Sequence, residues 1–278
     1  MTSEDITESD HLQEISKNQE INRRLLALFP YALHYMKTNR HYKIIEDVNS
    51  MLIDLMRVPS RYDTYIITPY TNIVQRKFCL DNYVNASIAT FENKNYLICQ
   101  KPPYKYRNNF IELIKKSDTK LIISLLSLRH KDYFSDYKCI ERENIYDRFG
   151  DRVCIIELYN IENTHIRRIR ATTWEENCSP INAHMTLLYD KFKEFENMSN
   201  NIIVHSGAGV DRACTFVMYN ILMKKRRVNH LQFLNIFYYL RSKRPYAIKN
   251  VNQFTYLVDK FVVPKIVSRT KNYKNGFK

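Results

Sequence analysis

Two patterns of apolar residues distinguish the middle of the chain from its last third. The middle of the chain carries β-branched and aromatic runs bounded by turn-type residues, which predict strands. The last third instead places apolar residues three and four positions apart, as in Met185, Leu188, Tyr189 and Phe192, which predicts amphipathic helices. The predicted strands are residues 82–88, 95–100, 120–128, 153–161 and 201–206.

Helices are predicted at both ends of the chain. The first 25 residues or so form an acidic lead into an amphipathic helix, whose apolar end carries Leu25, Leu26, Leu28 and Phe29. No internal repeat or linker rich in proline, glycine and serine divides the chain, so we expect one α/β domain with a mixed sheet. The predicted C-terminal helices are residues 181–196, 212–227, 231–244 and 252–267, the last interrupted near Pro264.

Composition indicates a folded, globular chain. Apolar residues make up 45% of the 278 residues and aromatic residues 13%, which is enough for a substantial core and argues against a disordered chain. The richest apolar window, residues 120–128, is too short to span a bilayer, and the acidic segment 1–10 does not resemble a secretory signal. A soluble, intracellular protein without membrane insertion is therefore the expectation.

The formal charge of +14 predicts an electropositive surface. Such a surface attracts nucleic acid, acidic lipid or phosphorylated protein. Basic residues concentrate in Lys224–Arg227 and in the tail 265–278. Because the chain has neither zinc-finger spacing nor the aromatic motif of RNA-binding sheets, we do not expect a nucleic-acid role.

The six cysteines are scattered and predict neither a metal site nor a redox pair. None belongs to a CxxC pair or lies near a histidine at metal-ligand spacing. Cys178 and Cys214 fall in segments that carry candidate chemistry. The other four lie in apolar or strand-like windows and are predicted to be buried, reduced thiols. These four are Cys79, Cys99, Cys139 and Cys154.

Candidate chemistry is concentrated in the sequence IIVHSGAGVDRACTF, residues 202–216. An apolar run ends at His205, two of the chain's four glycines follow at Gly207 and Gly209, and a helical pattern opens at Arg212. Glycines let the backbone approach an anion closely, and the start of the helix adds its positive end. The guanidinium of Arg212 offers a planar fork to two phosphate oxygens. This stretch alone fits a phosphate-binding loop and an ordinary strand–turn–helix corner equally well.

Residues 204–216, VHSGAGVDRACTF, resemble the signature VHCxAGxGRTGTF of the cysteine-dependent protein tyrosine phosphatases. Further segments resemble landmarks of that family and occur in the family's order. Together they cover residues 61–257, and their order favours the family over a chance match. The segments are SRYDTY (60–65), NYVNAS (82–87), YLICQKPP (96–103), YKC (137–139), TTWEENCSP (172–180) and RSKRPYAIKNVNQFTYL (241–257).

The resemblance implies a single α/β, tyrosine-phosphatase-like domain with a central, highly twisted mixed sheet flanked by helices. We place this domain at residues 26–268, between the acidic lead 1–25 and a basic tail 269–278. The resemblance also implies a phosphate-binding loop and a set of substrate contacts. The loop residues are Ser206, Gly207, Ala208, Gly209, Val210, Asp211 and Arg212, and the substrate contacts are Tyr62, Lys249 and Gln253.

Two positions depart from the family's chemistry. Ser206 replaces the cysteine whose thiolate attacks phosphorus, and a hydroxyl in the same place stays protonated. Glu176 replaces the aspartate that acts as general acid, and its extra methylene moves the carboxyl by about an ångström, which can cost on the order of a hundredfold in rate. The histidine before the nucleophile supports the loop in this family, so we do not expect His205 to act as a base.

Other substitutions surround the same loop. Asp211 places a carboxylate beside Arg212, Ala213 replaces a hydroxyl residue, and Lys249 replaces a glutamine that positions water in the family. Neither Cys214, in the first helical turn after the loop, nor Cys178, on the mobile loop that carries Glu176, is expected to serve as a nucleophile. Both are expected to fill space.

These features predict a catalytically inactive tyrosine-phosphatase-like protein, a pseudophosphatase that binds and shields phosphotyrosine proteins. Neither a metal nor another cofactor is expected. The first alternative is an interaction scaffold that does not use the pocket, because the carboxylate of Asp211 would repel a phosphate dianion. The second is an active phosphatase with an unusual nucleophile, whose turnover would depend on Ser206.

The degenerate signature and the richness in lysine, asparagine and tyrosine make the chain similar to the phosphatase-like proteins of bracoviruses, which parasitoid wasps carry. That group includes active and inactive members and is linked to interference with host immune-cell signalling. The similarity implies host signalling proteins as partners and the host-cell cytoplasm as the location.

Overall fold

A seven-stranded mixed sheet organises the residues that the computed structural model describes, which are 3–52, 71–126 and 132–262. The strands are β1 (Ala86–Phe91), β2 (Lys94–Gln100), β3 (Leu121–Ser124), β4 (Cys139–Tyr146), β5 (Arg152–Ile161), β6 (Thr164–Ala171) and β7 (Asn201–Ser206). The helices are α1 (Ser3–Lys37), α2 (His41–Leu52), α3 (Thr71–Lys77), α4 (Arg107–Lys116), α5 (Asn182–Phe195), α6 (Arg212–Met223), α7 (His230–Lys243) and α8 (Val251–Phe261).

Four parallel strands form the centre of the sheet. The strand order is β1-β2-β7-β3-β6-β5-β4, in which β2, β7, β3 and β6 are parallel and the outer strands pair antiparallel. Gln100 lies opposite Ser206, and Ser124 lies between His205 and Arg170, so the parallel strands end at one common edge. In open α/β sheets, the carboxyl edge of the strands is where ligands bind.

Helices cover both faces of the sheet, and this confirms the predicted fold class. Strand β7 is buried on both sides because successive side chains alternate between the faces. Ile202 and Val204 pack into the larger core with α1, α2 and α5–α8, while Ile203 packs into the smaller core with α4. A strand buried on both faces reads as a continuous apolar run, which is why β7 could be predicted from sequence.

Strands β4 and β6 are absent from the sequence prediction, for two physical reasons. Strand β4 is an edge strand with most of its residues exposed, so its sequence CIERENIY lacks the apolar alternation that indicates a half-buried strand. Strand β6 reads THIRRIRA, and its arginines look like surface residues. Arg168 is nevertheless buried, because ion pairs and hydrogen bonds satisfy its guanidinium inside the fold.

The guanidinium of Arg168 is bonded on every side. Arg168 lies opposite Glu157 in the β5–β6 pair, and its Nε donates to the Glu157 Oε2 at 2.8 Å. Its two terminal nitrogens donate to both carboxylate oxygens of Asp132 at 2.7 Å, and Nη2 also donates to the hydroxyl of Tyr159 at 2.7 Å. A buried charge is stable only with such complete partners, so this cluster fixes β6 to Asp132 and to the neighbouring strand β5.

Several details differ from the sequence prediction. Leu26, which the sequence places at the apolar end of the first helix, is exposed, whereas Leu25 is buried. Cys99 and Cys154 are buried as predicted, but Cys79 is exposed and Cys139 is partly exposed, so the prediction was wrong for these two. Among the described helices, none has both the length and the apolar character needed to cross a bilayer.

The contact between Asp132 and Arg168 predicts acid-sensitive stability. Burial acts to raise the pKa of Asp132, but the hydrogen bonds and charge of Arg168 outweigh it and lower the pKa from 3.8 to about 2. A carboxyl with a depressed folded-state pKa stabilises the fold above its unfolded-state pKa, and this contribution is lost as the pH falls towards about 2. We expect this group to account for a loss on the order of 2 kcal/mol in the free energy of unfolding over that range, measured by urea unfolding.

The variant Asp132→Asn should be less stable near neutral pH and should lose this part of the pH dependence. Asp190→Asn, which removes an exposed carboxylate on α5, is the matched control and should unfold with the wild-type pH profile. Identical pH profiles for Asp132→Asn and the wild type would contradict the assignment.

Candidate phosphate-binding site

The loop of residues 207–211 joins β7 to α6 at the carboxyl edge of the parallel strands. Ser206 is the last residue of β7 and Arg212 is the first of α6, as the sequence pattern predicts. Ser206 is buried, with 3% of its surface exposed. The first turn of α6 therefore starts directly behind the loop, and its positive end faces the same space.

Donors outside the loop fix the direction of its carbonyl groups. Five successive carbonyl oxygens, from Ser206 to Val210, accept hydrogen bonds from three surrounding segments. Because the peptide bonds are planar and trans, the N–H of each following residue points to the opposite side. The bonds run from Lys101 N to Ser206 O (2.8 Å) and Gly207 O (3.2 Å), from Arg244 Nη2 to Ala208 O (2.9 Å), from Arg244 Nε to Gly209 O (2.5 Å), and from Ile248 N to Val210 O (2.8 Å).

The N–H groups of residues 207–211 thus lie on the inner side of the loop. Within the described part of the chain, none of these five N–H groups donates to a protein acceptor. Successive unpaired N–H groups at a helix N-terminus form a concave anion site. We call residues 206–212 the cradle, which comprises this loop with Ser206 and Arg212.

Gly209 is required by the path of the backbone. Its φ of +70° lies in the left-handed region, where residues with a Cβ are strained. A Cβ at this position would also lie 2.2 Å from the carbonyl oxygen of Cys99 in β2. The cradle therefore packs against the end of β2 at a distance that only glycine allows.

Arg244 supports the cradle directly and Arg241 supports it indirectly, and the sequence prediction gave neither residue a role. Both are fully buried, and both belong to the RSKRPYAIKN segment. Besides its two cradle bonds, Arg244 donates to Ser87 Oγ at 3.2 Å and to Asn85 Oδ1 at 3.3 Å. The available sequence signal for these roles was that both arginines belong to a family motif. The acceptors could not be predicted, because those of Arg244 lie about 35 and 160 residues away in sequence.

Arg241 supports the cradle indirectly through Ile248. Burial lowers the pKa of Arg241 to about 10, so the side chain stays charged at neutral pH. Its Nη2 donates to the carbonyl of Ile248 at 3.1 Å, and its Nη1 donates to Asn49 Oδ1 and Pro245 O, both at 2.8 Å. Ile248 has a φ of +54°, which is strained for a β-branched residue. In this conformation the N–H of Ile248 points at Val210 O and donates to it at 2.8 Å.

Arg212 and Glu176 face the same point of the cradle. Arg212 is 4% exposed, and its Nη1 donates to the carbonyl of Trp174 at 3.0 Å. A Cβ built on Gly207 would lie 3.8 Å from Arg212 Nη2 and 3.5 Å from Glu176 Oε1. Burial lowers the pKa of Arg212, while the carboxylates of Glu176 and Asp211 act in the opposite direction. The structure therefore brings the two predicted residues together over the cradle.

The segment 172–180, which we call the acid loop because it carries Glu176, is tied down at its centre. Trp174 Nε1 and Gln253 Nε2 both donate to the carbonyl of Cys178, at 3.0 and 3.1 Å. Asn250 Nδ2 donates to the carbonyl of Asn177 at 3.0 Å. These bonds to α8 and to the Trp174 side chain set the position of Glu176 over the cradle.

A hydrogen-bonded chain anchors the start of the acid loop. His184 on α5 contacts Thr173 Oγ1 and Asp147 Oδ2, each at 3.0 Å. Asp147 and Asp151 in the β4–β5 turn form, with His184, a group of metal-type ligands whose donor atoms lie within 4.8 Å of one another. The pairing of His184 with Asp147 and Thr173 gives these residues a structural link between the turn and the acid loop, outside the cradle.

Asp211 directs its carboxylate at the start of α8. Its Oδ1 accepts a hydrogen bond from the N–H of Asn250 at 3.0 Å, and its side chain does not cap α6. Burial raises the pKa of Asp211, and the charge of Lys249 acts against this. The backbone N–H of Asp211 belongs to the cradle, while its side chain has a separate structural role. The carboxylate is therefore hydrogen-bonded at α8, while its charge still acts on the guanidinium of Arg212.

His205 lies under the cradle and is unsuited to act as a base. It is fully buried, and its Nε2 forms a hydrogen bond of 2.7 Å with the hydroxyl of Tyr133. Burial, together with the nearby charge of Arg168, lowers the pKa of His205 from 6.5 to about 3. The side chain is therefore neutral at physiological pH and engaged with the core, in line with the supporting role expected from sequence.

The remaining predicted residues occupy different environments. Gln253 is fully buried and accepts a hydrogen bond from Thr215 Oγ1 at 2.8 Å, whereas Lys249 is exposed. Cys214 is buried with its Sγ 3.7 Å from Gly209 O, on the outer side of the cradle, and burial raises the pKa of its thiol to about 12. Cys178 is exposed on the acid loop. Tyr62 lies outside the described residues.

Comparison with known proteins agrees with this arrangement. A family model described as protein-tyrosine phosphatase matches residues 57–262, about three quarters of the chain. The chain belongs to the protein-tyrosine phosphatase family. Tyrosine-protein phosphatase 2 of Dictyostelium discoideum is 22% identical over 224 residues, which cover 71% of this chain and 59% of that protein. Tyrosine-protein phosphatase 2 of Schizosaccharomyces pombe is 27% identical over 237 residues, which cover 72% of this chain and 33% of that protein.

Solved structures of phosphatases share the fold of this family member. The structure of PTPN18 in complex with phosphorylated HER2 peptides matches 86% of this chain and 98% of its own chain, with a TM-score of 0.62 at 14% identity. A Trypanosoma brucei protein tyrosine phosphatase matches 64% of this chain and 74% of its own, with a TM-score of 0.53 at 15% identity. The chain spans less than two thirds of the two tyrosine-protein phosphatases that it matches by sequence.

Two glycines test whether the cradle depends on close backbone packing. Gly209 and Gly150 both have positive φ, but a Cβ on Gly150 would meet nothing within 4 Å. Gly150→Ala should therefore lower the free energy of unfolding only by the cost of the left-handed conformation, about 1 kcal/mol. Gly209→Ala adds a backbone clash and should lower it by about 3 kcal/mol or more. Urea unfolding measures both, and equal losses for the two variants would show that the cradle tolerates a side chain at 209.

Proposed function

We propose that this member of the protein-tyrosine phosphatase family binds phosphotyrosine proteins and does not hydrolyse them. The observation that carries the proposal is the cradle itself. Five backbone N–H groups of the loop donate to no described acceptor, Arg212 Nη2 lies 3.8 Å from where a Cβ of Gly207 would be, and the residue at the end of β7 is Ser206. The donors fit a phosphate, and no base among the described residues is hydrogen-bonded to the hydroxyl of Ser206.

Phosphate binding is supported by groups that do not depend on residue 206. The N–H groups are held by outward carbonyl bonds, so they need little rearrangement when an anion arrives. Arg212 contributes a charge-assisted, bidentate contact, which is among the strongest that a side chain makes with phosphate. Tyrosine phosphate is the form of ligand that the family resemblance implies, and the PTPN18 structure contains phosphorylated HER2 peptides.

The absence of turnover is supported by the surroundings of Ser206. A serine hydroxyl needs a general base to become a nucleophile. His205, the adjacent histidine, is neutral and fully buried. Its ring is hydrogen-bonded to the hydroxyl of Tyr133, which is itself buried in the smaller core. Cys214 and Cys178 do not replace the missing thiolate, because one is buried outside the cradle and the other lies on the exposed acid loop.

The hydrogen bond that the Asp211 carboxylate accepts favours the binding proposal over the scaffold alternative. That alternative rests on repulsion between Asp211 and a phosphate dianion. The Asp211 carboxylate points at the start of α8, where the N–H of Asn250 donates to it and partly compensates its charge. The similarity to bracovirus proteins makes phosphotyrosine proteins of host-cell signalling the first partners to assay.

Binding should depend on Arg212. We expect a phosphotyrosine peptide to bind the wild-type protein, and Arg212→Ala to weaken that binding by about a hundredfold or more, because a bidentate charge-assisted contact is lost. Isothermal titration calorimetry measures the dissociation constants. Arg148→Ala, which removes an exposed arginine in the β4–β5 turn, is the charge-matched control and should bind like the wild type.

Circular dichroism would first show that Arg212→Ala keeps the fold, since Arg212 also bonds to Trp174 O. Phosphotyrosine binding that is absent in the wild type, or unchanged in a folded Arg212→Ala protein, would refute the binding proposal. The interaction scaffold would then be the better description.

Turnover should depend on the side chain at 206. We expect no hydrolysis of p-nitrophenyl phosphate by the wild type or by Ser206→Ala, and measurable hydrolysis by Ser206→Cys, because a thiolate in the cradle is stabilised by the N–H groups and Arg212. A steady-state absorbance assay gives the rates. Glu176 and Ala213 should keep the Ser206→Cys rate low.

Hydrolysis by the wild type that disappears in Ser206→Ala would overturn the proposal and identify Ser206 as a working nucleophile. An inactive Ser206→Cys protein that still binds phosphotyrosine would instead show that Glu176, Ala213 and Lys249 contribute to the loss of phosphatase activity.

A further inference from the structure

A run of four basic residues, Lys224–Arg227, follows the C-terminal end of α6, and all four are exposed. The cradle lies at the other end of the same helix. Twelve residues at 1.5 Å each place the run roughly 18 Å from the cradle along the helix axis. The proposed phosphotyrosine site therefore does not account for this charge.

Three of the four charges are unpaired in the described part of the chain. Lys224 forms ion pairs with Glu196 at 2.5 Å and with Glu92 at 3.8 Å. Lys225, Arg226 and Arg227 form no ion pair with any described carboxylate. Like charges side by side repel one another, so three adjacent free cations favour an external anionic surface.

Exposed apolar side chains lie at both ends of the basic run. Met223, before it, is 36% exposed, and Leu231, after it, is 48% exposed. A capping box defines the start of α7, since Asn229 Oδ1 accepts from Gln232 N at 2.8 Å and Gln232 Oε1 accepts from Asn229 N at 3.1 Å. Leu231 therefore lies in the first turn of a well-defined helix.

We propose that residues 223–231 bind the surface of an anionic phospholipid bilayer. In this arrangement Lys225, Arg226 and Arg227 contact lipid phosphates, while Met223 and Leu231 enter the boundary between headgroups and acyl chains. Basic residues flanked by exposed apolar side chains are typical of segments that lie on a membrane surface. Nucleic acid would satisfy the three cations but would leave the two apolar side chains without a role. The contact would leave the cradle, at the far end of α6, directed away from the lipid.

The expected strength follows from the number of free cations. Each basic side chain near an anionic bilayer strengthens binding by roughly fivefold, so three contribute on the order of a hundredfold. The attraction is screened by salt, because it acts between exposed charges across a few ångströms. Binding should therefore be measurable with phosphatidylserine vesicles at moderate salt and much weaker with neutral vesicles.

Vesicle sedimentation with the 278-residue chain tests the proposal. We expect binding to vesicles of phosphatidylcholine with phosphatidylserine, and little binding to phosphatidylcholine alone. Replacing Lys225, Arg226 and Arg227 together by glutamine should reduce binding on the order of a hundredfold. The double variant Met223→Ser, Leu231→Ser should weaken the vesicle binding that persists at high salt, because the apolar contribution is not screened.

A second triple variant controls for net charge. Lys105→Gln, Lys138→Gln and Arg148→Gln remove the same number of exposed cations elsewhere on the surface and should leave vesicle binding within a few fold of the wild type. An equal loss in both triple variants would overturn the proposal, because net charge and not this segment would then attract the lipid. Wild-type protein that binds double-stranded DNA through the same three residues and ignores the vesicles would also overturn it and identify a nucleic-acid surface.

Discussion

The outward anchoring of the cradle carbonyls is the constraint on which the site depends. A loop of five residues would otherwise be free to turn its N–H groups in several directions. Buried Arg244 donates to two successive carbonyls, and the strained Ile248 and the end of β2 hold three others. Burying a guanidinium is costly unless its donors are satisfied, and here the loop carbonyls are among its acceptors. The same hydrogen bonds therefore satisfy a buried guanidinium in the core and set the shape of the cradle.

The hydrogen bonds that hold the cradle are independent of the side chain at its first residue. The groups on the inner side of the cradle are backbone N–H groups and Arg212, and the bonds that hold the loop carbonyls do not involve the side chain of residue 206. A substitution at residue 206 therefore leaves this carbonyl network in place. Gly209, by contrast, is fixed by the carbonyl of Cys99, so a change there would alter the cradle itself. The residue that defines the family's chemistry is thus less constrained by the fold than a neighbouring glycine.

Local pattern predicted the strand β7, the cradle and the start of α6, because an apolar run, two glycines and a helix onset are all contiguous in sequence. Strands β4 and β6 were not predicted, since one is an exposed edge and the other carries arginines that are buried by partners far away in the chain. The orientation of Asp211 could not be predicted either. Its acceptor role requires the N–H of Asn250, which the fold brings next to it from 39 residues further along the chain.

Asp211 also shows how a substitution in the cradle can acquire a structural role. Its carboxylate accepts the N–H of Asn250, the residue whose own side chain caps α8 by accepting the N–H of Gln253 at 3.2 Å. The amide of Asn250 then donates to the carbonyl of Asn177, within the acid loop. The cradle, the start of α8 and the acid loop are therefore linked through two adjacent polar side chains. Because Glu176 lies on that loop, Asp211 takes part, through Asn250, in setting the position of the carboxyl group that covers the cradle.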